Sequence, residues 1–474
     1  MPSSQDKGHP MDGAAIRSHA HELIEFVQDI NLDEIPAAVT EQARICLLEA
    51  LGCGVFGATQ PWSRILADEI VSEGTQGAST IIGRADRVAA PGAALCNGTA
   101  IHGYELDDLI AESVTHPGAA VIPAALAAAE AVNASGAKLL EAIIAGYEVM
   151  HRIGLAVGAE PSRRGFHVTS LAAPVAAATA AGIVMNLSRD QLFSAIGLSC
   201  SAASGIKSFS IGKGGGMVKR LHLGRAAEAG VRMGQLAQRG FLGPPFAIDS
   251  HFGLIEVFGG SSAAPERLSR GLGANWAITQ TWFKVFPICG WIQSAVQLLL
   301  ELRGAEPLSP REISNVRIGV SKYAAQNNSS PAPIDTMGAQ YSIPYCAALA
   351  LTGNPRDPDM FAVSAVNDPV IRELAGRIEI VVDPRIEAVC PAQYGASVSL
   401  DFADGRTSEG MVLDCHGTPA DPCTEEESRT KFKLLTRGRL ADDQAELLTE
   451  RVWTLAALPS VRLLTENFTL ARSA

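Results

Sequence analysis

Apolar residues recur at three- and four-residue spacing through most of the first 260 positions. Ala20–Gln28, Pro36–Phe56, Val88–Asp108, the stretch from Pro117-Gly118 to Asn133, Ala137–Val157, Thr169–Met185 and Asp190–Ser204 each read as helix. A further helix begins near Met217, giving at least eight in this part of the chain. Strand signals are nearly absent there; Thr80-Ile81-Ile82-Gly83-Arg84 reads as a short strand or turn. The pattern changes near Thr279. Val316–Val320, Ile378–Val382 and Ala396–Phe402 alternate as strands, Asp404-Gly405 signals a turn, and Gly410–Leu413 is a candidate fourth strand. Tyr341–Leu351 and Met360–Val366 read as helices between them, and Thr424–Asn467 returns to helical spacing.

The expected fold is therefore mainly α. Residues 1–279 would form most of a large all-helical domain, 280–412 an inserted smaller α+β lid, and 413–474 the helices that complete the large domain.

Composition narrows the function classes. The 474 residues are 47% hydrophobic, 19% charged and only 5% aromatic, which suits closely packed small-residue helices. The formal net charge is −12 and no basic tract exceeds a few residues, so nucleic acid is not an expected partner. The nine cysteines are widely spaced and contain no Cys-x-x-Cys pair, which argues against a disulfide framework, a zinc ribbon or an iron–sulfur cluster. Residues 1–15 read as a disordered leader without the apolar core of a signal peptide. Val168–Met185 is the best membrane candidate, but its alanines and Pro174 suit a buried helix better. A cytoplasmic protein is expected.

Candidate chemistry lies in four short clusters. Gly212-Lys213-Gly214-Gly215-Gly216 opens a helix on which Lys219, His222 and Arg225 or Ala226 recur at spacings of three to four, on one face. A glycine loop at a helix start can aim N–H groups at an anion, so Gly215 and Gly216 are candidate substrate contacts and the cations a carboxylate- or phosphate-binding wall. The same spacing also fits a solvated surface face. The second cluster runs from Glu105 through Asp107, Asp108, Glu112 and Thr115 to His116. His116 sits just before a helix start, where the dipole favours neutral imidazole. Arg163-Arg164-Gly165-Phe166-His167 is the third and Lys284-Val285-Phe286-Pro287 the fourth. These histidines show no His-x-x-x-His or His-x-Glu spacing, and lysines and arginines beside them in an acidic protein fit a polyanionic substrate better than a metal.

Taken together, Asn97-Gly98-Thr99-Ala100-Ile101-His102, Glu105-Leu106-Asp107-Asp108, Thr115-His116-Pro117, Gly165-Phe166-His167-x-Thr169-Ser170, Lys219-Arg220-Leu221-His222-x-Gly224-Arg225-Ala226-Ala227, Gly240-Phe241-x-Gly243-Pro244, Lys284-x-Phe286-Pro287 and Tyr341-Ser342-Ile343-Pro344-Tyr345 resemble the 2-methylcitrate dehydratase and cis-aconitate decarboxylase family, also called MmgE/PrpD. The resemblance spans nearly the whole chain in order. It implies a helical domain with an α+β lid, a homodimer, and catalysis without metal or organic cofactor. It places active-site residues at Glu105, His116, His167, Lys219, Lys284 and Tyr345; Asp108, His222, Arg225, Gly215 and Gly216 are the expected substrate contacts beside them. The chain departs from the common family pattern at Glu105-Leu106-Asp107-Asp108-Leu109, in the glycine loop, which lacks a usual acidic residue, and at Gly290-Trp291-Ile292-Gln293, where many members carry histidines.

The chemistry that fits is proton abstraction next to a carboxylate, with ammonium groups stabilising the resulting enediolate. A hydro-lyase acting on a small di- or tricarboxylate is the first expectation. A decarboxylase is its variant, an epimerase of an amino-dicarboxylate the alternative, and a non-catalytic dimeric binding protein the contrasting class.

Overall fold

The computed structural model describes residues 18–211, 215–466 and 468–470. The expected leader and Gly212, Lys213 and Gly214 of the glycine loop lie outside the described residues.

The chain is mainly helical. At its centre lies the Val168–Val184 helix, all of whose residues are buried. Alanine and glycine let backbones approach closely, so this helix packs against Gly136–Val157, Met217–Gln238, Gly118–Val132 and Arg189–Cys200 on its different sides. Such enclosure explains its largely apolar sequence, since a helix buried all round needs no polar face; the hydroxyls of Thr169, Ser170 and Thr179 donate to backbone carbonyls. No helix among the described residues is long and apolar enough to cross a membrane.

The Met217–Gln238 helix also crosses Ala90–Ile101. A Cβ on Gly224 would lie 2.2 Å from the Thr99 hydroxyl oxygen and 2.3 Å from the Leu95 carbonyl oxygen. Glycine at this position thus sets how closely the helix that carries Lys219 approaches the one that leads to Glu105.

Two short strands, β1 (Ser79–Thr80) and β2 (Arg87–Val88), pair antiparallel in the helical part. The main sheet contains β3 (Ile313–Val320), β4 (Ile378–Val382), β5 (Ala396–Phe402) and β6 (Thr407–Val412), in the order β4-β3-β5-β6. β3 runs parallel to β4 and antiparallel to β5, and β5 pairs antiparallel with β6. β5 alternates buried and half-buried positions, so one face lies against helices such as Gln293–Arg303. The Glu425–Thr436 helix packs on Ala37–Ala58, returning the end of the chain to the helical part.

One boundary differs in a way that matters. The helix expected to run from Val88 to Asp108 ends at Ile101, followed by one tight turn at His102–Tyr104. Glu105 then adopts a left-handed conformation with φ 57°. Residues 105–116 form a loop pinned by paired hydrogen bonds between Leu109 and Trp282 and between Ile110 and Thr115. Breaking the helix there turns Glu105, Asp107 and His116 towards the same interior point.

Candidate active site

Four buried charges meet where the 105–116 loop, the first turn of the Met217–Gln238 helix and the 282–288 segment converge. The Lys219 ammonium contacts Glu105 Oε1. Lys284 Nζ lies 3.3 Å from Glu105 Oε2 and 3.4 Å from Asp107 Oδ1. Burial alone would raise both carboxyls, but Lys219 and Lys284 outweigh it at Glu105, and Lys284 with His102 and His116 outweigh it at Asp107. Both carboxylates are therefore held ionised. Burial opposes the charge on Lys284, but Asp107 and Glu105 overcome it and raise its pKa. Lys219 goes the other way: burial lowers its pKa, Glu105 offsets this in part, and Lys284 adds repulsion. Lys219 is thus the more ready proton donor of the two ammonium groups.

A set of imidazoles surrounds this cluster. His102 Nδ1 donates to Asp107 Oδ2 at 2.6 Å, and burial lowers its pKa to about 3. His116 Nδ1 lies 2.8 Å from the Asp108 carbonyl oxygen and 3.2 Å from Asp107 Oδ2. Both partners accept, so Nδ1 carries the proton and the neutral ring keeps its lone pair on Nε2. His167 and His222 face each other through their Nδ1 atoms at 3.1 Å, so one donates and the other accepts.

Part of this set borders a cavity of about 100 Å³. Glu105, His116, His167 and Lys219 line it, together with Lys207, Tyr341 and Cys289. Trp291, stacked on Tyr394 with centroids 3.7 Å apart, forms one wall. Leu109, Val114, Phe166 and Phe209 supply apolar surface.

The other residues expected at the site lie elsewhere. Lys284 is buried behind Glu105 and Asp107 and does not line the cavity. Asp108 is held by the Tyr147 hydroxyl at 2.5 Å and the Gly118 N–H at 2.9 Å, and burial pushes its pKa up to about 7. It supports the loop. His222 reaches the cavity only through His167. The Arg225 side chain is 67% exposed and pairs with Glu228, so it does not face the cavity. Gly215, at φ 75°, is not among the lining residues. Gly216 borders a small side pocket that shares Phe209, Ser210 and Tyr341 with the cavity. The Tyr345 hydroxyl donates to the Met360 carbonyl, and Tyr341 lines the cavity instead.

His102, Lys207, Cys289 and Tyr341 were not singled out in the sequence. His102 and Tyr341 fall inside matched motifs without an assigned role. Lys207 and Cys289 carry no local signal.

The sequence shows no short-spaced metal motif, yet folding brings ligand atoms of His102, Asp107 and His116 within 4.8 Å of one another, and likewise His416, Cys423 and Glu427 near the surface. In the first group both Asp107 oxygens already accept from nitrogen donors, and one of those donors is the Lys284 ammonium. A dication there would have to displace them and sit beside a second positive charge. The set fits a charge-paired, proton-handling network.

Burial lowers the pKa of His116, with Lys284 and Lys219 adding to the shift and Asp107 opposing it. Burial also lowers His167, aided by His102, Lys219 and His222. A base must be unprotonated, so activity is present above a lowered pKa and lost as pH falls through it. The acid limb of kcat/KM is expected below pH 6.5, the ordinary value for histidine. A limb at or above that value in a full pH–rate profile would contradict the expectation that one of these neutral imidazoles is the base.

Comparison with known proteins bears on the whole chain. The MmgE/PrpD N-terminal domain matches residues 21–266 and the MmgE/PrpD C-terminal domain matches 286–455. A cis-aconitate decarboxylase-like protein of Aspergillus oryzae is 28% identical, with 92% of this chain and 94% of that protein covered. The cis-aconitate decarboxylase of Homo sapiens is 26% identical over 95% of this chain and 94% of its own length. A 2-methylcitrate dehydratase of Cupriavidus necator is 24% identical, covering 83% of each. With both domains matched in order, and with Glu105, His116, His167 and Lys219 gathered on one cavity, the chain belongs to the MmgE/PrpD family.

Proposed function

We propose that the chain is a cofactor-independent lyase that moves a proton at the carbon next to a carboxylate of a small tricarboxylate. The observation that carries this reading is the cavity itself: two imidazoles kept neutral by burial lie beside a buried ammonium that is balanced by Glu105. A neutral imidazole takes the proton, Lys219 steadies the developing enediolate, and the apolar wall keeps water away from it.

Dehydration of a hydroxy acid is the first form of the reaction. The relative named 2-methylcitrate dehydratase supports this form. Decarboxylation is the second form, favoured by the relatives named cis-aconitate decarboxylase, which align over more of the chain than the dehydratases do. A homodimer belongs to the same proposal, carried over from the family resemblance.

Incubation with 2-methylcitrate and with cis-aconitate in deuterated water, after exhaustive chelation, tests the reading. Loss of water from the hydroxy acid with undiminished rate is expected. Gas release from cis-aconitate alone would move the assignment to decarboxylase, and exchange without net reaction would move it to epimerase. Activity restored only by a metal would end the cofactor-free proposal.

A further inference from the structure

The charges beside the cavity do not all cancel. Lys219 and Lys284 are matched by Glu105 and Asp107. Lys207 also lines the cavity, yet it has no carboxylate partner among the described residues. Its Nζ lies 3.0 Å from the Tyr323 hydroxyl oxygen and 3.1 Å from Ser162 Oγ, with the Ser162 carbonyl at 3.5 Å. These neutral acceptors hold the ammonium in place without neutralising it.

Its position is fixed by the backbone. The Lys207 N–H donates to the Gly165 carbonyl at 2.8 Å, and the His167 N–H donates to the Gly205 carbonyl at 3.0 Å. Phe166 and Ile206 pair between them. This short antiparallel ribbon sets Lys207 and His167 at fixed places along the same cavity wall. Gly205 makes it possible: a Cβ there would lie 2.2 Å from Ser170 Oγ, and its φ of 113° disfavours any side chain. Beyond Lys207, Tyr323 packs against Trp291 at 5.0 Å, so the ammonium stands at the edge of the aromatic wall.

We infer that Lys207 binds a second carboxylate of the substrate, remote from the reacting carbon, and so makes the site selective for polycarboxylates over monocarboxylates. The inference rests on the carboxylate reading of the cavity, but not on which reaction follows. A substrate carboxylate would take one of the ammonium's donors as a charge-assisted hydrogen bond, stronger than the neutral contacts present now.

Glutarate and pentanoate share one carbon chain and differ by the second carboxylate, so their affinities isolate this contact. Calorimetric titration of the full-length protein should show glutarate binding at least about tenfold tighter than pentanoate, the scale of one charged hydrogen bond. Lys207→Met keeps the stem and removes the charge; it should bring the two affinities within about twofold and leave pentanoate binding unchanged. Lys207→Arg should keep the preference, and added salt should weaken it in the unmodified protein. Lys207→Gln, checked by its melting temperature, serves if the methionine variant folds poorly. A preference that survives in Lys207→Met or Lys207→Gln, or one absent from the unmodified protein, overturns the inference. Glutarate selectivity lost with Lys207 in a protein that proves to have no lyase activity would uphold the inference and sink only the proposed function. Failure of the unmodified protein to bind either acid would sink both.

Discussion

Lys219→Ala is expected to lower turnover by about 10²–10³, the usual cost of removing one donor that stabilises developing charge. Lys219 is 1% exposed, lines the cavity, and has Glu105 as its counter-charge. Removing it also strips Glu105 of one of its two cations, leaving Lys284 at 3.3 Å. Breaking a buried ion pair costs about 3–5 kcal/mol when the remaining charge is left bare. Here Lys284 remains, so a smaller loss of stability is expected. The two effects are separable: Lys219→Ala combined with Glu105→Gln should recover the melting temperature and leave turnover low. Lys284→Ala gives the contrast. Lys284 sits behind the carboxylates and bridges them, so its loss should act first on stability. Kinetics and thermal melts of the three variants decide the matter, and Lys219→Ala with turnover within about twofold of the parent would show that its charge does no catalytic work.

How much of this was legible in the sequence depends on where the information lies. Helices with apolar faces were readable because their periodicity is local; the strands at 316–320, 378–382 and 396–402 were readable for the same reason. Of the two continuations on the helix, Arg225 or Ala226, only the step of four keeps to the face. Arg225 lies 240° around from Lys219 and pairs outward with Glu228, whereas Ala226 returns to the Lys219 side and is buried. Tyr345 was misplaced for a reason the sequence does contain. Ser342 caps a helix and Pro344 stands in its first turn, so Tyr345 lies inside that helix and packs towards Phe361. Tyr341 precedes the cap and stays free to line the cavity. Lys207 was not readable at all, because the ribbon that aims it pairs segments some 40 residues apart, and nothing local records that pairing. The break after Ile101 is similar: Gly103 and Tyr104 give no clear stop, and the left-handed turn at Glu105 is stabilised by ion pairs to residues 114 and 179 positions away.

The two histidines that line the cavity should separate when each is exchanged for glutamine. His116 Nδ1 is fixed by the Asp108 carbonyl and Asp107, which leaves Nε2 as the free basic nitrogen. Burial lowers its pKa, so this nitrogen is unprotonated at neutral pH and ready to accept. Glutamine keeps an N–H for the Asp108 carbonyl but has no nitrogen that titrates in this range. His116→Gln should therefore abolish exchange of the substrate α-proton with deuterated solvent, measured by proton NMR. It should lower turnover by about 10²–10⁴, the range for positioned acid–base catalysis. His167 differs in its partner. It shares one proton with His222, which lies away from the cavity, so His167 suits delivery of a proton or orientation of substrate after the first transfer. His167→Gln should leave exchange detectable while net turnover falls. The two variants must be read together. Exchange lost in His167→Gln but kept in His116→Gln would reverse the roles, because the base is whichever ring exchange requires. Full activity in both would remove the imidazoles from the chemistry and leave Lys219, which lines the cavity and contacts Glu105, as the group to test next.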